Sequence, residues 1–289
     1  MGNSSSMVNY TALNRFRDIK FIEESHEYYC GSTKFKSVTQ WVKKIVPEFN
    51  EEYWLKYKTL QEMGLKVQKL PDNHLRVNGE VQHYTEIRID TSKLKNDWSN
   101  KSKTALNKGT SIHRDFELGF QGKYTSDLVW NYVQSCKELI PIRSEYIVAD
   151  YENKIAGQMD GLFLNTDTGL LEIHDYKTDK EIKYSNRYES FLPPLDFMSN
   201  CNFNKYTIQL NMYKHCIEKY TDLKIDKMYV QHVTDKVESI EIPLKIVYFL
   251  NKLIMLLTKF VLVAIVLTAG EKFLDQVQPP IANDTFNFL

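Results

Sequence analysis

Apolar residues broken by single polar ones run through 155–164 and again through 170–177, and the five residues between them, Asn165-Thr166-Asp167-Thr168-Gly169, are turn formers. This pattern predicts two strands around a hairpin, with a preceding strand over 143–151. Smaller hairpins are predicted over 21–38, turning at Gly31-Ser32, over 74–89, turning at Asn78-Gly79, and over 228–242, turning at Thr234-Asp235-Lys236. Helical periodicity fills the intervals. Ser37 or Thr39 caps a helix through Trp41, Val42 and Ile45 that Pro47 ends, and 50–63 reads as another. The stretch 111–120 continues a helical run, 127–139 carries Leu128, Tyr132, Cys136 and Leu139 on one stripe closed by Pro141, and 203–220 carries Tyr206, Leu210, Tyr213 and Ile217. Strands and helices alternating in this way predict an α/β fold, a central mixed β-sheet flanked by helices with an N-terminal α+β extension.

Composition agrees with a globular chain. Of the 289 residues, 43% are hydrophobic and 26% charged, with few glycines and prolines, which excludes disordered and fibrous classes. The formal net charge of zero conceals an asymmetry: residues 1–110 carry a surplus of five positive charges and 111–245 a deficit of five. Between 91 and 109, Lys93, Lys95, Lys101, Lys103 and Lys108 face only Asp97, with Trp98 among them. Lysines beside an aromatic suit a grip on a nucleic-acid backbone with stacking on a base, the competing reading being a solvated helix face with one buried tryptophan.

The chemistry-bearing residues sit in the predicted central hairpin. Asp160 lies on its first strand and Asp175-Tyr176-Lys177 on its second. With a period of two, Asp175 and Lys177 share a face and Tyr176 takes the other. Two carboxylates beside an ammonium suit metal-assisted phosphodiester hydrolysis, in which a bound divalent cation activates water and offsets phosphate charge. Two further pairs lie four apart on helices, His113 with Glu117 and Gln209 with Tyr213, so each pair points to one place.

In order along the chain, Gly109-Thr110-Ser111-Ile112-His113 with Glu117, then Gly157-Gln158-Met159-Asp160, then Asp175-Tyr176-Lys177-Thr178, then Gln209 with Tyr213, resemble the RecB-like, lambda-exonuclease-like branch of the PD-(D/E)XK nucleases. That branch includes phage, viral and mitochondrial genome-maintenance exonucleases, and the match covers roughly 105–245. The resemblance implies a restriction-endonuclease-like core over 106–245; outside it lie an N-terminal α+β extension over 1–105, whose basic stretch could grip DNA, and a C-terminal apolar helix and tail over 246–289. It implies that His113, Asp160, Asp175 and the Tyr176 carbonyl hold Mg²⁺ or Mn²⁺, that Lys177 positions or polarises the attacking water, and that Glu145 lies near the metal. It also implies that Gln209 and Tyr213 hold the substrate strand and brace the site, while Thr178 could orient Lys177 or contact phosphate. Lys101, Lys103, Lys108 and Trp98 would add to the DNA contact. Upstream, Phe21, His26, Tyr28 and Ser37-Val38-Thr39 resemble the leader region of some phage and viral members.

The function so implied is a Mg²⁺- or Mn²⁺-dependent deoxyribonuclease, an exonuclease acting on DNA in replication, recombination or repair. An endonuclease or nickase on the same fold, and a non-catalytic nucleic-acid-binding protein, are the alternatives. Cys30, Cys136, Cys201 and Cys216 lack the spacing of iron-sulfur members, and no phosphate-binding G-x-x-x-x-G-K-[ST] loop occurs, so neither a cluster nor a bound nucleotide is expected. The scattered cysteines point to an intracellular, reduced chain. Two terminal features keep a membrane association open. Met1-Gly2-Asn3-Ser4-Ser5-Ser6 fits a permissive N-myristoylation pattern. The apolar run 253–269 contains Lys259, whose burial in a bilayer costs roughly 3 kcal/mol, which favours a packed helix over a tail anchor.

Overall fold

The computed structural model describes residues 10–244. After a 3-10 turn at Tyr10–Phe16, β1 (Ile19–Ile22), β2 (Glu27–Cys30) and β3 (Thr33–Ser37) form a meander. α1 (Val38–Lys44) starts at a capping box: Ser37 Oγ accepts from the Gln40 amide at 3.0 Å, and the Gln40 side chain accepts from the Ser37 amide at 3.3 Å. α2 (Glu51–Glu62) is capped by Asn50. Next, β4 (Val67–Lys69), β5 (His74–Val77) and β6 (Glu80–His83) make a separate three-stranded sheet. Its tight turn is Asn78-Gly79, both at positive φ (50° and 102°), the combination a two-residue hairpin requires.

The remaining elements are α3 (Ser92–Phe120), α4 (Asp127–Ser135), β7 (Leu139–Asp150), β8 (Ile155–Asn165), β9 (Leu170–Lys177), α5 (Asn202–Tyr220), β10 (Ile225–Val233) and β11 (Val237–Glu241). β7 pairs with β8 along its length, while the other edge of β8 is shared, with β3 beside Ile155 and Ala156 and β9 beyond Gly161. β10 joins β9 in parallel and β11 closes the far edge, so eight strands form one mixed sheet. The fold is mixed α/β, as the alternation of elements predicts.

Helices cover both faces of this sheet, and the alternation of β9 shows why. Tyr176 points to one face, where its ring stacks on Phe116 of α3 at 4.0 Å and joins Val129 of α4 and Val233 of β10 in a buried cluster. Full burial of one such side chain stabilises the fold by roughly 1.5–3 kcal/mol. Lys177 points to the other face, over the Tyr206 ring of α5.

Two elements differ from the sequence reading. Pro141 does not close α4, which ends at Ser135; it lies within β7, beside a register shift between Pro141 and Arg143. Among the described residues β7 pairs on one side only, so a proline without an amide hydrogen is tolerated there. The expected boundary at 105/106 falls inside α3, which runs without a break from Ser92 to Phe120, and β3 of the N-terminal segment is part of the main sheet. Gly2 and the run 253–269 lie outside the described residues. Among the described residues no helix is long and apolar enough to cross a membrane.

Candidate metal centre

Strand register places three acids in a row across the sheet. Ser144 pairs with Gly161 and Tyr146 with Met159, so Glu145 falls opposite Asp160; Gly161 pairs with His174, which aligns Asp160 with Asp175 on the third strand. The β8–β9 ladder stops at Gly161, and beyond it the Asp160 carboxylate takes over: its Oδ2 accepts from the Tyr176 amide at 2.7 Å. Glu145 has a φ of 46°, a left-handed conformation that costs a residue with a Cβ roughly 1–2 kcal/mol. Strain of this kind concentrates at functional positions. Its Oε2 accepts from the Gln158 side chain at 2.7 Å.

His113, on α3, reaches the same place from above the sheet. Its Nε2 lies 2.9 Å from the Tyr176 carbonyl oxygen. A carbonyl only accepts, so Nε2 carries the hydrogen and Nδ1 faces the acids, 3.4 Å from Asp160 Oδ1 and 3.9 Å from Glu145 Oε1. One ligand atom from each of His113, Glu145 and Asp160 lies within 4.8 Å of the others. A histidine whose second nitrogen is fixed by a backbone carbonyl is the usual arrangement of a metal-ligating imidazole. Once the acids are ionised, three electron-pair donors facing one another repel, and a cation among them relieves that repulsion.

The electrostatics carry the same signature. Burial, and after it the charge of Asp175, pushes the Asp160 carboxyl up to about 7, against the pull of His113 and Lys177. Burial also raises Glu145. Asp175 is 1% exposed and ion-pairs with Lys177 through one oxygen, while its Oδ1 has no hydrogen-bond partner among the described residues. Burial alone would lower the Lys177 pKa, but Asp175 and Asp160 outweigh it and the net shift is upward, so the ammonium stays charged at neutral pH.

The residues expected at the site are thus brought together unevenly. His113 and Asp160 meet, and Glu145 joins them as a third donor. Asp175 faces Lys177 instead, outside the three-residue cluster. The Tyr176 carbonyl is occupied as the acceptor of His113. A divalent cation nevertheless fits this donor set: two carboxylates and an imidazole suit Mg²⁺ or Mn²⁺, and the unpartnered Asp175 oxygen is a further acceptor nearby.

Gln209 and Tyr213 form a brace. Tyr213 is 2% exposed and its hydroxyl accepts from the Gln209 side chain at 2.8 Å. Gly157 makes room for it, since a Cβ there would lie 2.6 Å from Tyr213 Cε1 and 2.9 Å from Val38 Cγ2. A ring this buried positions other groups and does not grip a strand. Tyr206, which the sequence places in a packing stripe, is the residue sequence reasoning missed: Lys177 Nζ is 5.1 Å from its ring centre, and its hydroxyl donates to Asp179. The spacing of Tyr206, Gln209 and Tyr213, three and four apart, was the available signal.

Thr178 lies against α3, 3.8 Å from where a Cβ on Gly109 would be. From there toward its start, α3 is largely solvent-exposed, with Leu106 66% exposed. Lys101 and Lys108, seven apart, share a side of the helix, whereas Lys103 leaves it about 200° away. None of the three has an ion pair among the described residues. Trp98 is half-buried 6.4 Å from the Phe49 ring, as a packed tryptophan would be. No protein-family model matches this chain, and no curated protein matches it.

Proposed function

We propose that this protein is a metal-dependent DNA nuclease, with an exonuclease as the first choice on the strength of the four motifs. The observation that carries the reading is the convergence of His113 Nδ1, Glu145 Oε1 and Asp160 Oδ1 beside the Asp175–Lys177 pair. His113, Glu145 and Asp160 would hold Mg²⁺ or Mn²⁺, with Asp175 Oδ1 as a further ligand. When bound, such an ion supplies a water of lowered pKa and neutralises phosphate charge.

The other roles follow from charge and burial. Lys177 keeps its proton, so it acts as a fixed cation that orients the nucleophile or stabilises the charge building on the phosphate, not as a general base. Asp175 and the Tyr206 ring hold that ammonium in place. Tyr213 and Gln209 brace β8 at Gly157, three residues before Asp160. Lys101 and Lys108 extend positive charge along α3 away from the site, the side on which a phosphate backbone would be drawn in.

Digestion of end-labelled linear and covalently closed circular DNA, with Mg²⁺ or Mn²⁺, tests this. The expected result is loss of label from linear DNA only, abolished by chelation and by Asp160→Asn. Opening of the circle would make the protein an endonuclease, and binding without hydrolysis under either metal would make it a non-catalytic DNA-binding protein.

A further inference from the structure

A cavity of about 320 Å³ lies between the N-terminal meander and α1. Phe21, His26 and Tyr28 wall it on the meander, and Ser37, Thr39 and Lys43 on the β3–α1 segment. The aromatic rings form a row: Phe21 and His26 stack at 5.7 Å and 11°, and Phe21 lies 4.8 Å from Tyr28. The hydroxyls of Ser37 and Thr39 are 3.0 Å apart. Lys43 is exposed and has no ion pair among the described residues. Close by in the chain, the Lys36 and Lys44 side chains contact each other, and Lys44 depresses the Lys36 pKa, so positive charge here is in excess. Stacking rings, hydroxyls and an unpaired ammonium around a space of this size are what a nucleotide needs, the rings for its base and the polar groups for its phosphate.

The cavity shares a wall with the metal cluster. Tyr28 is 6% exposed, its hydroxyl lies against the Gln158 backbone, and the Glu145 charge, after burial, raises its pKa to about 12. Gln158 is the residue whose side chain holds Glu145. Ser37 pairs with Ala156 on β8, four residues before Asp160, which at ~3.3 Å per residue is about 13 Å along the strand. A DNA strand lying across the metal cluster would therefore have this cavity within reach.

We propose that the cavity is a nucleotide subsite that takes one base of a DNA strand against Phe21 and His26 and the adjoining phosphate at Ser37, Thr39 and Lys43. The identity of the ligand rests on the nuclease reading. A base stacked on a side chain has left its partner base, so the subsite selects single-stranded DNA or frayed ends over intact duplex.

Fluorescence anisotropy of a dye-labelled oligothymidylate, with Ca²⁺ in place of Mg²⁺, tests the subsite on the full chain. Phe21→Leu keeps apolar bulk but removes the aromatic face, and Lys43→Ala removes the cation. Lys36→Ala, an equal loss of charge outside the cavity, is the control. Each cavity variant should weaken binding roughly tenfold, with the control falling well short of that and with thermal melting unchanged. In cleavage, KM should rise while kcat holds. A wild-type protein that does not bind the oligonucleotide, cavity variants that bind as wild type does, or a Lys43→Ala effect matched by Lys36→Ala would each overturn the subsite. Cleavage of the same oligonucleotide separates the two readings. Intact metal-dependent cleavage with unaffected binding removes the subsite and keeps the nuclease, whereas weakened binding without any wild-type cleavage removes the nuclease and keeps a single-strand binding site.

Discussion

The Asp160 carboxylate ends a β-ladder: its Oδ2 accepts the Tyr176 amide at 2.7 Å where β8 and β9 stop pairing. One side chain thereby joins the backbone of the strand bearing Asp175 and Lys177 to the donor cluster around His113. The same carboxylate is buried and raised to about 7. Its folded pKa lies above the unfolded value near 4, so its contribution to stability is full below pH 4 and is lost as pH rises toward 7. A shift of three pH units corresponds to about 4 kcal/mol. Asp160→Asn can keep the bond from Tyr176 without the charge. In chelator at pH 8 it should therefore melt at a higher temperature than wild type, and at pH 4 the two should coincide. A variant less stable than wild type at pH 8 would contradict this.

Added Mn²⁺ should reverse that ranking. A cation held by His113, Glu145 and Asp160 binds only the folded chain and raises its melting temperature, by about 2.7 kcal/mol of stability at a hundredfold excess over Kd. Protonation of Asp160, whose carboxyl is raised to about 7, should remove the gain at pH 5. Differential scanning fluorimetry at pH 8 and pH 5, with wild type and Asp160→Asn, reads both effects. Equal Mn²⁺ stabilisation of the two proteins at pH 8 would place the ion elsewhere.

Gly157→Ala should destabilise the fold by about 1–3 kcal/mol, because the added methyl would sit 2.6 Å from the Tyr213 ring and 2.9 Å from Val38. Urea denaturation measures this. Tyr213→Leu in the same background should recover part of the loss, since a smaller side chain frees the space.

How much of this was legible in the sequence depended on distance along the chain. Asp160, Asp175 and Lys177 stand in one hairpin whose turn residues declare themselves, and alternation alone puts Asp175 and Lys177 together. Gln209 and Tyr213 follow from a helix repeat. The position of Glu145 opposite Asp160 depends on β7–β8 register, which a register shift beside Pro141 displaces by one residue and no local pattern reveals. The shift hides a strand start at Leu139 behind what reads as a helix end. Tyr206 was visible but ambiguous, since a tyrosine at helical spacing serves core and site alike. The boundary at 105/106 followed where the four motifs begin, yet α3 contains no proline and no glycine before Gly109, so nothing interrupts its hydrogen bonds there.

Away from the site, Asp150 ties β7 to α5. It is 1% exposed and meets His215 at 3.3 Å, Lys219 at 3.2 Å and the Tyr220 hydroxyl at 2.8 Å. Burial raises its carboxyl, but hydrogen bonds from His215, Asn153 and Tyr220 outweigh that and hold it well below the usual range. The sign is opposite to that of Asp160: its stabilisation is present above pH 4 and is lost as pH falls further. Asp150→Ala should cost about 3–5 kcal/mol in urea denaturation at pH 7, and its deficit against wild type should narrow below pH 4. A deficit independent of pH would show that packing, not charge, is what Asp150 supplies.

Single-turnover cleavage of end-labelled linear DNA in Mn²⁺ tests whether DNA is hydrolysed at the His113–Glu145–Asp160 cluster with the help of Lys177. Lys177→Ala should lose at least about 10²-fold in rate while binding DNA as wild type does. Cleavage by Lys177→Ala at the wild-type rate would exclude Lys177 from the chemistry of this site.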